Sequence, residues 1–336
     1  MHCIEPEDIA LGTVERHENE PVSWHGLEKP RAEMTTENCG LRAMKIRRAA
    51  VTVALDEIIY PASLIVPCVP HPMPDNEGKL LFLGKPFEPE TYELFDNDEF
   101  LNLAAECFKA AGLDNSIAFT TTLNAGRRAT LAKRIPEADF KDATGHEIAT
   151  YFNLLNSFDG SWQLFANVSE IRTVCYNTAT ANIAEGGFTV RHRPEAIAQF
   201  VANFPQLFAA AVETHKGSAN DYLMMGNEGM TQADATAFFA ALLCKGERLS
   251  TRSANLANEE LLSLFVRGKG NYGKTRADAY NAITEYYTHN GTAEANAPGG
   301  TSDNRKREAK ALLLSDKLNV EIERGRKLLA DYIASK

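Results

Sequence analysis

Ser116-Ile117-Ala118-Phe119-Thr120-Thr121-Thr122-Leu123-Asn124-Ala125-Gly126-Arg127-Arg128-Ala129-Thr130-Leu131-Ala132-Lys133-Arg134-Ile135 reads as a β-hairpin. Ser116–Leu123 is rich in threonine and apolar residues, Asn124-Ala125-Gly126 supplies turn chemistry, and Arg127–Ile135 runs back as the second strand. The same grammar repeats at once: Ile148–Phe158, a turn at Asp159-Gly160, then Ser161–Val168. Two consecutive hairpins in mid-chain, with helical periodicity on both sides, set the expected fold class as α+β. Antiparallel hairpins are flanked by helices, and a helical region follows toward the C-terminus.

Before the hairpins, Arg47–Leu55 and Leu64–Val69 are short β-branched runs bounded by prolines, the second suited to a sheet edge, and Lys79–Leu83 is a further strand. A helix is expected over about 97–111, capped by Asp96 or Asn97, buried through Phe100, Leu103, Ala104 and Phe108, and stopped by Gly112. After the hairpins come Ile171–Val174, a short helix around Asn177–Ala184 and a strand at Phe188–His192. A helix then starts at Pro194 and reaches about Thr214. Thr231–Lys245 (with Thr231 as N-cap), Asn258–Val266 and Arg276–His289 read as helices. The organisation that follows is an acidic arm over 1–34, an α+β core over 35–214, a helical region over 215–289, a linker over 290–302 and an amphipathic helix over 303–336. The arm is expected to be ordered only where something holds it.

The 336 residues carry a formal charge of −10, but its distribution is uneven. Residues 1–115 hold 10 basic against 21 acidic side chains, whereas 116–193 hold 8 against 7 and 194–336 hold 17 against 17. The whole-chain value therefore does not exclude nucleic acid; it describes a polarised molecule. The six cysteines lie tens of residues apart with no zinc-ligand spacing, which suits buried thiols in a reducing cytosol. Glu5, Glu7 and Asp8 stand where an export signal would carry its basic and apolar parts, and prolines break the apolar run at 58–69, so neither a secretory signal nor a membrane helix is expected.

Three patterns could carry chemistry. Gly268-Lys269-Gly270-Asn271-Tyr272-Gly273-Lys274-Thr275 satisfies the phosphate-loop rule, but that mechanism needs a strand to deliver the loop, and the delivering segment reads as a helix. The alternative is a basic loop between helices. Asn281, Glu285 and His289 share a helix face at a spacing that could meet a metal, yet no third ligand is identifiable, so no metal or cofactor is expected. No nucleophile elbow or Cys/His pair gives positive evidence of catalysis. The third pattern is charge: 115–136 contains Arg127, Arg128, Lys133 and Arg134 without an acidic residue, and Arg172, Arg191 and Arg193 follow downstream. Phosphate-tracking cations beside a stacking ring such as Trp162 are what single-stranded nucleic acid requires, and Lys269, Tyr272, Lys274 and Arg276 could add a clamp. Ordinary solvated strands also carry arginines.

Arg172-Thr173-Val174-Cys175-Tyr176-Asn177-Thr178 and Tyr280-Asn281-Ala282-Ile283-Thr284-Glu285-Tyr286-Tyr287-Thr288-His289 resemble the phage/plasmid-like proteins of domain-of-unknown-function family 932. Trp24-His25-Gly26, Gly126-Arg127-Arg128, Ser157-Phe158-Asp159-Gly160-Ser161 and Val190-Arg191-His192 stand in the order that resemblance demands, over roughly residues 22–330. The resemblance implies a phage, prophage or plasmid origin and no activity. Combined with the basic hairpin, it leads to the expectation of a non-catalytic, oligomeric protein in a bacterial host cytoplasm that binds single-stranded DNA and assists annealing or recombination. A host-factor-binding protein using the acidic N-terminal third, and a nucleotide hydrolase built on Lys274, are the rival classes.

Overall fold

The computed structural model describes residues 4–22, 26–55, 58–89, 92, 94–142, 144–160, 163–172, 177–180, 188–243, 254–286 and 329. In chain order the elements are α1 (Pro6–Ala10), β1 (Glu15–His17), β2 (Lys29–Arg31), α2 (Gly40–Ala43), β3 (Arg47–Leu55), β4 (Ile58–Pro70), β5 (Leu80–Phe82), α3 (Asn97–Ala110), β6 (Phe119–Leu123) and β7 (Arg128–Arg134). They continue as β8 (Phe140–Lys141), β9 (Glu147–Ser157), β10 (Leu164–Arg172), β11 (Asn177–Thr180), β12 (Phe188–Val190), α4 (Pro194–Asn227), α5 (Gln232–Leu243), α6 (Leu262–Arg267) and α7 (Arg276–Glu285). A π-helical turn over Leu256–Leu261 leads into α6. The fold is α+β with antiparallel hairpins and a helical C-terminal region, as the hairpin reading requires.

The two mid-chain hairpins form the centre of the larger sheet, whose order is β11-β10-β9-β7-β6-β1-β2, with β12 also pairing β10 and β8 pairing β9. Leu123 pairs with Arg128 across the first turn, where Asn124 (φ 56°), Ala125 (φ 57°) and Gly126 (φ 79°) all enter the left-handed region. Two such residues in succession without glycine are strained, so something must hold them. The holder comes from the N-terminal arm: the buried Asp8 carboxylate accepts from Ala125 N (3.1 Å), Gly126 N (2.6 Å) and Glu5 N (2.8 Å). Burial pushes the Asp8 carboxyl upward, and these donors together with the Thr122 hydroxyl oppose it. A Cβ on Gly126 would sit 3.0 Å from Leu11 Cδ1 and Met44 Cε, which explains the glycine at this position. The sheet therefore orders the arm: β1 pairs antiparallel with β6, and Thr13 and Thr122 share a buried hydroxyl contact of 2.6 Å.

One face of the sheet meets α3 and the first half of α4. Phe200, Phe204 and Phe208 recur every fourth residue on α4, and Phe152 of β9 lies against two of them, with centroids 5.3 Å and 5.4 Å away. Phe108 of α3 meets the same Phe152 at 6.5 Å, edge to face. A second core joins the end of α4 to α5, α6 and α7 through Tyr222, Phe239, Phe265, Tyr280 and Ile283. That second core corrects one expectation. The helix expected to run from Pro194 to about Thr214 continues as α4 to Asn227, because Ala219, Tyr222 and Met225 beyond that point are buried. The short helix expected around Asn177–Ala184 is also corrected, since Asn177–Thr180 extends the sheet as β11. The linker over 290–302 lies outside the described residues, as does the helix over 303–336 apart from Leu329, which is buried in the second core. The smaller sheet, β3-β4-β5, packs Val69 and Leu83 into the first core.

Candidate nucleic-acid interface

The hairpin cations do not form a row facing solvent. Lys133 is 3% exposed. Its ammonium donates to Asp114 Oδ1 (2.6 Å), Ser116 O (3.1 Å) and Ser116 Oγ (3.1 Å), and lies 5.1 Å from the Phe108 ring centre. Lys133 and Ser116 in turn hold the Asp114 carboxyl well below the usual carboxylate range. Arg128 is buried, with Nε 4.0 Å from Asp159 Oδ2 across the second turn. Arg134 is surrounded by three carboxylates: Asp139 (2.8 Å), Glu147 (2.5 Å) and Glu20 (3.6 Å). Burial acts to lower the Arg134 pKa, but Asp139 and Glu20 raise it further than burial lowers it. A guanidinium among three carboxylates leaves a locally negative field, the wrong sign for phosphate.

The remaining cations are placed differently. Arg127, at the first turn, is exposed. Arg172 ends β10 opposite Ile148 and Asn177, and Trp162 lies outside the described residues. Arg191 and Arg193 stand exposed on either side of buried His192, at the junction from β12 to α4. Arg193 N donates to Arg191 O (2.8 Å), a three-residue turn that directs His192 inward and both arginines outward. Among the described residues neither arginine is ion-paired. Inside the turn, the His192 ring lies 5.1 Å from that of Tyr92, whose hydroxyl donates to Ser157 O (3.1 Å). Burial and the nearby Asp159 push the Tyr92 hydroxyl strongly upward, so it stays protonated as that donor. The segments around Arg128, Asp159 and His192 thus converge on one end of the sheet.

Arg191 and Arg193 border an open groove of about 810 Å³ between β12 and α4. Phe188, Val190 and Phe200 supply its apolar wall, and among the described residues Glu195 is the one acidic side chain lining it. Arg193 is the N-cap of α4 and makes no side-chain cap, so the first amides of a 34-residue helix add positive potential at this mouth.

The phosphate-loop pattern has a different explanation. Residues 268–275 connect helix α6 to helix α7, so no strand delivers them. The amides that would cradle a phosphate already hold a carboxylate. Asp278 accepts from Tyr272 N (3.2 Å), Lys274 N (3.0 Å) and Thr275 N (3.0 Å), while Thr275 caps α7 by accepting from Asp278 N (3.2 Å). Asn271 donates to Leu264 O (3.0 Å) and accepts from Asn281, which accepts from the Tyr222 hydroxyl (2.9 Å). Asn281 therefore belongs to a buried network and is unavailable to the supposed metal row, while His289 lies outside the described residues. Among the described residues no three His, Cys, Asp or Glu side chains are grouped to hold a metal ion. Arg276 pairs with Glu228 (2.5 Å), whereas Lys269, Tyr272 and Lys274 are exposed on the loop.

Sequence reasoning did not find Asp8, Asp114, Asp139 or Tyr92. Only Asp278 left a local signal, the Thr275-x-x-Asp278 capping pattern. The acidic third is also less of a charged surface than its count suggests, since Asp8 is buried and Glu15 is engaged by Gly40 N (2.5 Å) and Arg31 (3.3 Å). No described helix is long and apolar enough to cross a membrane.

Fold and groove together define an α+β protein with a largely antiparallel sheet and a basic groove between β12 and α4. The chain belongs to the family described as Domain of unknown function (DUF932), whose model matches residues 89–313, about two thirds of its length. That span contains the two mid-chain hairpins and α4, and leaves α1, β1, Asp8 and the smaller sheet β3-β4-β5 outside it. No curated protein matches the chain, and no solved structure does.

Proposed function

We propose that this chain binds single-stranded DNA through the groove between β12 and α4, and serves phage or plasmid DNA transactions such as annealing or recombination without catalysing them. The observation that carries this reading is the contrast in charge. Arg191 and Arg193 border an open groove without ion pairs among the described residues, while Arg128, Lys133 and Arg134 have carboxylate partners. Phosphates would meet the two guanidinium groups and the N-terminus of α4, and bases would meet the Phe188 side of the groove. The loop bearing Lys269, Tyr272 and Lys274 docks just past the far end of α4, where Met230 N donates to Lys274 O (2.8 Å). At 1.5 Å per residue the helix spans about 50 Å, so a strand touching both surfaces runs the length of α4.

The test is fluorescence anisotropy of labelled oligothymidylate titrated at several salt concentrations. Each phosphate neutralised contributes a slope of about −0.7 in log K against log salt for single strands. Arg191→Glu with Arg193→Glu is expected to abolish most binding at low salt. Absence of wild-type binding at low salt would overturn the proposal.

A further inference from the structure

The wall that α4 gives to the groove carries a stripe of polar side chains, although Arg191 and Arg193 border the same groove. Glu195, Gln199, Asn203 and Leu207 line it at intervals of four residues, so they stand one above another on one helix face. The first three are exposed. Asn203 Nδ2 donates to Gln199 O (2.8 Å), which ties that amide back to its own helix. Among the described residues, neither the Glu195 carboxylate nor the Gln199 side-chain amide has a polar partner.

The carboxylate of Glu195 repels the phosphates that Arg191 and Arg193 attract, so in a groove that holds single-stranded DNA its partner is a base. A carboxylate can only accept hydrogen bonds. In a single strand the Watson–Crick edges are open to the protein, and they differ in what they offer a pair of acceptor oxygens. Guanine presents two adjacent donors, N1–H and N2–H, which match a carboxylate bidentately. Cytosine and adenine each present one amino group beside an acceptor nitrogen. Thymine presents one N–H between two carbonyl oxygens, both of which a carboxylate repels. Gln199 completes the match to guanine. The O6 atom beside N1–H needs a donor, and an amide one turn along the helix, with its Cβ about 5–6 Å from that of Glu195, supplies one.

We infer that the groove reads guanine, with Glu195 as its specificity-determining residue and Gln199 as the second contact. This rests on the single-stranded DNA reading and adds base selection to it. Arg191 and Arg193 take the phosphates and carry affinity for any sequence. Glu195 accepts from guanine N1–H and N2–H, Gln199 donates to O6, and the ring lies along the Phe188 side of the groove.

Fluorescence anisotropy of the full chain at one low salt concentration tests this, comparing oligothymidylate with an alternating thymidylate–guanylate oligomer of equal length. The guanine-containing oligomer is expected to bind about tenfold tighter, the discrimination of one good bidentate base contact. Glu195→Gln, at an exposed position, should bring the ratio of the two affinities to about one, by weakening the guanine oligomer and, with a negative charge gone, strengthening oligothymidylate. Gln199→Leu should lower the same ratio by a smaller factor. Equal affinities of the wild type for the two oligomers would overturn the inference and leave the DNA reading standing, whereas no binding of either oligomer would remove both. A ratio that Glu195→Gln leaves unchanged would also overturn the inference, since that is the result expected if Glu195 serves only the dipole of α4.

Discussion

The hairpin end of the sheet and the groove beside α4 contain the same residue types in opposite electrostatic states. In the sheet, Lys133 is buried with its ammonium on Asp114 and Ser116, and Arg134 stands among Asp139, Glu147 and Glu20. At the groove, Arg191 and Arg193 turn outward around buried His192, with one acidic residue in the lining among the described residues. The difference shows that a run of basic residues in a sequence measures charge without measuring its availability. The carboxylates that neutralise the hairpin come from other segments: Glu20 from the arm, Asp114 from the turn after α3, Asp139 from the chain before β8, and Glu147 from the start of β9.

This contrast can be tested from its most costly element downward. Asp8→Ala leaves three backbone donors unpaired at a buried turn and is expected to lower unfolding free energy by about 3 kcal/mol in a urea titration, because each orphaned group costs about 1 kcal/mol or more. A loss under about 1 kcal/mol would mean that the strained turn holds itself. Lys133→Ala removes a buried stem packed on Phe108 along with its hydrogen bonds, and should cost about 2 kcal/mol while leaving oligonucleotide binding unchanged. If affinity falls with it, the hairpin face belongs to the interface after all. Asp278→Ala opens the amides of a more exposed loop that water can reach, so a capping loss of about 1 kcal/mol is expected by thermal melting.

The smallest effect concerns pH. The folded-state pKa of Asp114 lies below its ordinary value of 3.8, so its contribution to stability is present above that value and is lost as the pH falls below it. The Asp114 side chain is 78% exposed, so solvent screening keeps the effect under about 1 kcal/mol. Comparing the acid limbs of the wild type and Lys133→Ala isolates it, since the variant should lose stability less steeply below pH 4. Equal slopes would remove the pairing from the account.

The parts of the fold legible in the sequence are those written locally. Turn chemistry at Asn124-Ala125-Gly126 and Asp159-Gly160 placed both hairpins, Asp96 with Glu99 closed a capping box on α3, and Thr231 capped α5. Errors arose where distant packing overrides a local signal. The helix α4 does not end near Thr214, because Tyr222 and Met225 farther along it pack into the second core. Asn177 to Thr180 became a strand because β10 offered an edge there. The groove was half legible: its arginines were named from sequence, but the inward turn at His192 and the helix face opposite depend on tertiary structure. The hold of Asp8 on the first hairpin turn left no local trace, since Ala125 and Gly126 lie more than a hundred residues away.

The central claim is that charge available to DNA lies at the groove and that the hairpin charge is internal. Measuring oligothymidylate affinity for Arg191→Glu/Arg193→Glu beside Arg134→Gln, at one low salt concentration, tests it most directly. The account predicts at least a tenfold loss for the groove pair, equivalent to about 1.4 kcal/mol, and no loss for Arg134→Gln. Binding that survives reversal of the groove pair and disappears with Arg134→Gln would contradict it.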